Sequence, residues 1–177
     1  LPQSQVTSIT QDDKGYLWVG TLGGLAKFGG NKFITYSSVD GLLNNRVESL
    51  DFFEETLWVG HDGGISYIKN GKIGNASFEG TGNERSRSVS KIVRFHNKIV
   101  VCSNGGGLFE LVSNRLKKIS LSNSDFLRIR DAHVYKGQLY LATKGGVLVS
   151  KDLKTFSIEK GLSVGSFSGV DGKGDQM

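Results

Sequence analysis

Apolar and polar residues alternate along this chain in short runs, and glycine-rich turns separate the runs. Such a pattern of period two predicts β-strands with one face buried. The clearest stretch begins at Arg46. Arg46-Val-Glu-Ser-Leu-Asp-Phe reads as a first strand, Thr56-Leu-Trp-Val-Gly as a second and Gly64-Ile-Ser-Tyr-Ile as a third. Asn70-Gly71 then turns the chain into a fourth, because both residues tolerate the positive φ of a type I′ hairpin.

The pattern recurs. Leu17-Trp-Val-Gly-Thr-Leu-Gly-Gly, Leu57-Trp-Val-Gly-His-Asp-Gly-Gly, Ile99-Val-Val-Cys-Ser-Asn-Gly-Gly and Leu139-Tyr-Leu-Ala-Thr-Lys-Gly-Gly start 40, 42 and 40 residues apart. A period of that length built from four antiparallel strands predicts an all-β fold, a β-propeller of four-stranded blades. Blades are expected at 5–45, 46–86, 87–126 and 127–166, with 167–177 starting another, so that about four blades are present of a larger propeller. The fourth-strand turn falls at Gly29-Gly30-Asn31, Ser113-Asn114 and Asp152-Leu153-Lys154 in the other repeats. Gly20, Gly60, Cys102 and Ala142 share one position, which predicts a strand face pressed closely against its neighbour. Trp18 and Trp58 share another, where an aromatic serves packing between blades.

Composition adds limits. Twenty-five glycines against one proline in 177 residues suit a repeat with many tight turns. The net charge of +5 is spread along the chain, which allows an acidic ligand without requiring one and gives nucleic-acid binding no clustered basic stripe. Cys102 is the only cysteine, which rules out an intrachain disulfide and a cysteine-based metal site. It is expected to be a buried spacer. Apolar runs fall short of the roughly 18 residues of a membrane span, and the first residue, Leu1, points to a mature or excised product.

The segment Gln11-Asp-Asp-Lys-Gly-Tyr-Leu-Trp-Val-Gly-Thr-Leu-Gly-Gly-Leu-Ala-Lys-Phe, followed by Phe33-Ile-Thr-Tyr and Gly41-Leu-Leu-Asn-Asn-Arg-Val, resembles the two-component regulator propeller repeat. Leu57 to Ile65 and Gly161-Leu162 carry parts of the same signature. The resemblance implies the periplasmic sensor portion of a membrane-anchored hybrid histidine kinase, with propellers of about seven blades and oligosaccharides as frequent ligands. It also implies that this segment, which lacks a kinase module, is not itself an enzyme.

Propeller ligands approach the channel mouth, formed by the loops leading into first strands and those joining second to third strands. Arg46, Arg87 and Arg128 recur before first strands, with Arg85 and Arg130 nearby, as expected of a cationic collar for carboxylate or sulfate groups. The alternative is that they are solvated, or paired with acids such as Glu48 and Asp131. The second-to-third-strand loops offer Thr21, His61 with Asp62, Ser103 with Asn104, and Thr143 with Lys144, each before a Gly-Gly that suits either a sugar or simply the hairpin. No catalytic constellation is expected, since His61 beside Asp62 lacks a nucleophile placed by geometry. No cofactor or metal is expected either. The partners expected are an oligosaccharide, the remaining blades or a second copy of the chain. A protein-binding scaffold and, more remotely, a propeller-type polysaccharide lyase or glycosidase are the other readings.

Overall fold

The computed structural model describes residues 1–79, 88–159, 167, 169 and 170, and its described strands are arranged as four antiparallel blades. Blade 1 comprises β1 (Val6–Gln11), β2 (Leu17–Thr21), β3 (Gly24–Phe28) and β4 (Phe33–Tyr36). Blade 2 comprises β5 (Val47–Phe53), β6 (Thr56–His61), β7 (Gly64–Lys69) and β8 (Lys72–Phe78). Blade 3 holds β9 (Ser88–Phe95), β10 (Lys98–Asn104), β11 (Gly107–Val112) and β12 (Arg115–Ile119), and blade 4 holds β13 (Ile129–Tyr135), β14 (Gln138–Thr143), β15 (Gly146–Ser150) and β16 (Ser157–Ile158). The first strands β1, β5, β9 and β13 pack side by side, the arrangement of a β-propeller.

Local chemistry accounts for the hairpins. Asn70 and Gly71 both have positive φ, 51° and 74°, as a type I′ turn requires. Ser113 and Asn114 turn in the same way at 47° and 61°. Glu54 and Glu55 also do so, at 52° and 56°, although glutamate is a poor residue for that region. Asp152 organises the last turn by accepting from the backbone N–H groups of Lys154 and Thr155, both at 2.8 Å, and these bonds hold its carboxyl below the ordinary value.

Three apolar clusters form the core, two of which fall between successive pairs of the first three blades. Trp18 and Leu25 of blade 1 pack on Val47, Leu50, Leu57, Val59 and Ile68 of blade 2. Trp58 and Ile65 pack in the same way on Val89, Ile92 and Val101 of blade 3. Hydroxyls add a cross-link at each joint: Thr7 Oγ1 donates to the Val47 carbonyl at 2.9 Å, Ser49 Oγ to Val89 at 3.0 Å and Ser90 Oγ to Ile129 at 2.7 Å. Each first strand carries a β-bulge at the corresponding point, between Val6 and Ser8 in blade 1 and between Ile129 and Asp131 in blade 4.

The position shared by Gly20, Gly60, Cys102 and Ala142 is tight because it faces the next first strand. A Cβ on Gly20 would lie 2.6 Å from Val47 Cγ1, and one on Gly60 would lie 2.7 Å from Val89 Cγ1. Cys102 is fully buried, and burial raises its thiol pKa, so it stays protonated.

One feature departs from separate blades. The outer strands β8 and β12 pair in parallel through Arg115–Ser77 and Leu116–Phe78, joining blades 2 and 3 into one eight-stranded sheet. Strands at the same place in successive blades run in the same direction, so outer strands that meet can pair only in parallel. Phe78 and Phe109 close the joint with ring centroids 4.5 Å apart.

The two tryptophans are equivalent in sequence but not in bonding. Trp18 Nε1 donates to Asp12 Oδ2 at 2.9 Å. Where blade 1 has Asp12, blade 2 has Phe53, which stacks on Trp58 at 5.5 Å, and Trp58 Nε1 finds no partner among the described residues. Trp18→Phe is therefore expected to lose about 1.5 kcal/mol more stability than Trp58→Phe, the value of a hydrogen bond to a charged acceptor. Urea unfolding of the two variants checks this; equal losses would show that the indole–carboxylate bond contributes nothing.

Candidate ligand recess at the loop face

The Gly-Gly loops explain themselves through their preceding residue. Thr21 Oγ1 donates to the Gly24 carbonyl at 2.8 Å and accepts from Gly23 N–H at 3.2 Å. Thr143 repeats the arrangement with the Gly146 carbonyl at 2.6 Å and Gly145 N–H at 3.1 Å, and Ser103 Oγ accepts from Gly106 N–H. All three side chains are fully buried. They brace the hairpin and offer no hydroxyl to a ligand, so the hairpin reading of these residues holds.

His61 takes the same position in blade 2, and its expected place at the open mouth is corrected: it is wholly buried. Its Nδ1 lies 3.0 Å from the Arg46 carbonyl, which only accepts, so Nδ1 carries the proton. Nε2 then accepts from Ser66 Oγ at 2.9 Å, and Ser66 Oγ in turn accepts from Leu43 N–H at 2.9 Å. Both ring nitrogens of His61 and the Ser66 hydroxyl are satisfied with the imidazole neutral. Burial lowers the His61 pKa from 6.5 to about 4, against the opposing influence of the Arg46 carbonyl and Asp62. The Ser66–His61 spacing matches that of a nucleophile and its base, yet both groups are wholly buried and a backbone carbonyl stands where a carboxylate would orient the ring.

The arginine positions diverge. Arg46 is exposed but engaged by two carboxylates of its own blade: its Nε pairs with Glu48 Oε1 and lies 3.5 Å from Asp62 Oδ2. The pairing alternative therefore describes Arg46 and accounts for Asp62. Arg85 and Arg87 lie outside the described residues. Arg128 is exposed and lines a recess of about 470 Å³ with Asn104, Gly105, Ser124 and Leu127.

That recess is the candidate site. It forms because the β10–β11 loop of blade 3 meets the segment leading into β13, where Asn104 and Arg128 form an antiparallel bridge. Gly105 N–H donates to the Leu127 carbonyl at 3.0 Å and fixes the loop against the single-turn helix Ser124–Leu127. Asn123 caps this helix by accepting from Asp125 N–H at 3.0 Å. Lys144, exposed, reaches Asp125 Oδ1 at 3.1 Å and so borders the same helix. The structure thus brings Asn104 and Arg128 into one recess with Lys144 beside it, and leaves Arg46, His61 and Asp62 elsewhere. Ser124 and Leu127 were missed as lining residues; the run Ser122-Asn-Ser-Asp, a helix-cap signature before a first strand, is the signal that marks them.

A second polar cluster escaped the sequence reading. Lys91 Nζ lies 2.7 Å from Asp51 Oδ1, while Asp51 Oδ2 accepts from Ile92 N–H at 3.0 Å. Burial holds the Asp51 carboxyl above its ordinary value despite Lys91, and Asp131 contributes in the same direction. Asp51 and Lys91 belong to neighbouring first strands and tie blades 2 and 3 together. Among the described residues, no group of His, Cys, Asp and Glu could hold a metal ion.

Residues 1–23 match the sequence profile described as two component regulator propeller. That match covers β1 and β2 of the first blade. The chain superposes on the extracellular domain of BT3049 from B. thetaiotaomicron, described as a hybrid two component system, with a TM-score of 0.68 and 22% identity over 91% of this chain and 25% of that one. For the corresponding domain of BT4673 the TM-score is 0.74, with 19% identity over 94% of this chain and 24% of that one. The WD40 β-propeller domain of Doa1 aligns with a TM-score of 0.63 and 18% identity, over 92% of this chain and 56% of that one. At these identities the likeness is one of fold. The chain spans about a quarter of the length of each two-component structure. Comparison with curated proteins finds no match. No described helix is long and apolar enough to cross a membrane.

Proposed function

We propose that this chain is an extracytoplasmic, periplasmic ligand-sensing segment of a two-component sensor. In this reading an oligosaccharide bearing an acidic group binds at the recess between blades 3 and 4. The observation that carries it is that Asn104 and Arg128, contributed by different blades, line one polar recess. Asn104 offers amide donors and an acceptor for hydroxyls, and Arg128 offers a fork of N–H donors for a carboxylate or sulfate, while Lys144 borders the rim paired with Asp125. The match of residues 1–23 to the two component regulator propeller profile supports a sensory role. Occupancy would bias the packing of blade 3 against blade 4, because the two sides of the recess belong to different blades.

Thermal unfolding with neutral, uronic and sulfated oligosaccharides at low and high salt tests this. An acidic sugar is expected to raise Tm, with the shift shrinking at high salt and vanishing in Arg128→Ala with Asn104→Ala. A shift that survives the double substitution would place the ligand elsewhere. A second reading, a protein-binding scaffold, is favoured by one observation, the apolar surface of blade 1, where Val6, Ile9 and Leu17 are exposed.

A further inference from the structure

We infer that a cleft between blades 1 and 2 is a second ligand site, and that it takes a hydroxylated aromatic ring, the phenol of a small ligand. The cleft lies where the β1–β2, β5–β6 and β7–β8 turns meet, at the opposite end of the strands from the recess of Asn104 and Arg128. Its volume of about 360 Å³ falls within the ~300–1,000 Å³ of small-molecule pockets. Trp18, Phe52 and Ile68 give it an apolar lining, joined by Lys27 and the Asn70–Gly71 turn.

The joint between blades 2 and 3 shows what this cleft lacks, because there the protein bridges the equivalent place with its own side chains. Tyr67, opposite Trp58 in the strand register, sets its ring 5.6 Å from the indole and donates from Oη to Asn114 Oδ1 at 3.2 Å. Arg94 reaches back across the joint to Glu54 at 2.6 Å. By the same register Lys27 stands in the place of Tyr67, Gly71 in that of Asn114 and Phe52 in that of Arg94. None of the three repeats the bridge. Lys27 curls back onto its own blade, with Nζ 3.8 Å from the Tyr16 ring centroid and 4.0 Å from Asp12 Oδ2. A Cβ on Gly71 would meet nothing within 4 Å, so the turn stands clear of the opposite wall. The tryptophan is kept while the phenol beside it is missing, and a phenol arriving from solution replaces it. Asn70 offers its amide to the hydroxyl, and Lys27 offers an ammonium to the ring face.

The test uses p-cresol, an uncharged phenol, as the probe and 4-methylcyclohexanol, which has the hydroxyl but no aromatic ring, as the control. At roughly tenfold above its dissociation constant, p-cresol is expected to raise Tm by about 3–6 °C. It should also shift the NMR signals of the Trp18 indole N–H and the Gly71 amide, and the cyclohexanol should bind at least about tenfold more weakly. Lys27→Tyr installs the ring that occupies the neighbouring joint and is expected to abolish both effects. Gly71→Asn restores the counterpart of Asn114 at a φ of 74°, which asparagine tolerates, and is expected to weaken p-cresol about tenfold. This second variant carries the test if Lys27→Tyr fails to fold. The absence of a saturable shift at the Trp18 indole overturns the inference, as does binding that survives the substitutions unchanged. Equal affinity for the two probes also overturns it, by showing that the cleft selects no aromatic ring.

Discussion

Acidification from pH 6.5 towards pH 4 is expected to cost the folded protein on the order of 3 kcal/mol through His61 alone. The folded state holds the imidazole neutral down to about pH 4, whereas the unfolded chain takes up a proton near the ordinary value of 6.5. The unfolded state thus binds more protons throughout that window, so the stability His61 contributes is full above pH 6.5 and is lost as pH falls towards 4. Asp51 acts with the opposite sign, since burial favours its protonated form. A comparison that leaves Asp51 in place isolates the histidine. His61→Thr installs the residue that braces the equivalent loops of blades 1 and 4, and replaces a titrating ring with a hydroxyl. This variant is expected to be about 1–2 kcal/mol less stable at pH 7, through lost hydrogen bonds and volume. It should then lose much less stability than the parent between pH 6.5 and 4. Parallel pH profiles in urea unfolding would show that His61 does not titrate across folding.

Gly64→Ala is expected to cost about 3 kcal/mol or more, the second large effect. Gly64 has φ of 157°, and a Cβ there would collide with the Ala76 carbonyl of β8 while lying 2.9 Å from Leu43 Cδ2 and 3.0 Å from Ser77 Cα. The obstacles include backbone of the paired strand, which cannot swing aside as a flexible side chain would. Its neighbour Gly63 has φ of 88° with nothing within 4 Å, so Gly63→Ala carries only the left-handed backbone penalty, about 1 kcal/mol. Denaturant midpoints separate the two. Equal losses would mean that the second glycine of the pair serves conformation alone and not close approach.

These two cases show where sequence reading succeeds. The Gly-Gly pairs were legible as recurrent turns because φ > 0 and missing side chains leave a compositional mark. The choice between a ligand-facing loop and a braced hairpin was not, because it depends on where the preceding Thr21, His61, Ser103 and Thr143 side chains point. Arg46 and Arg128 occupy equivalent places in the repeat, yet one is engaged by Glu48 and Asp62 and the other opens onto a recess. Their difference lies in the neighbours each blade supplies, and the repeat does not encode those. Asp51 and Lys91 looked like ordinary strand residues until the first strands were set side by side.

By itself, then, the sequence determined the four-stranded blade, its period, its turns and the small residue at the position of Gly20, Gly60, Cys102 and Ala142. Periodicity, turn chemistry and side-chain volume are local properties, and a repeat writes them several times over. Tertiary structure alone decided the merged sheet of blades 2 and 3, the neutral His61 and the recess of Asn104 and Arg128. Each of these rests on contacts between groups distant in the chain, through hydrogen bonds and desolvation that fall off within a few ångströms and exist only once the blades have packed.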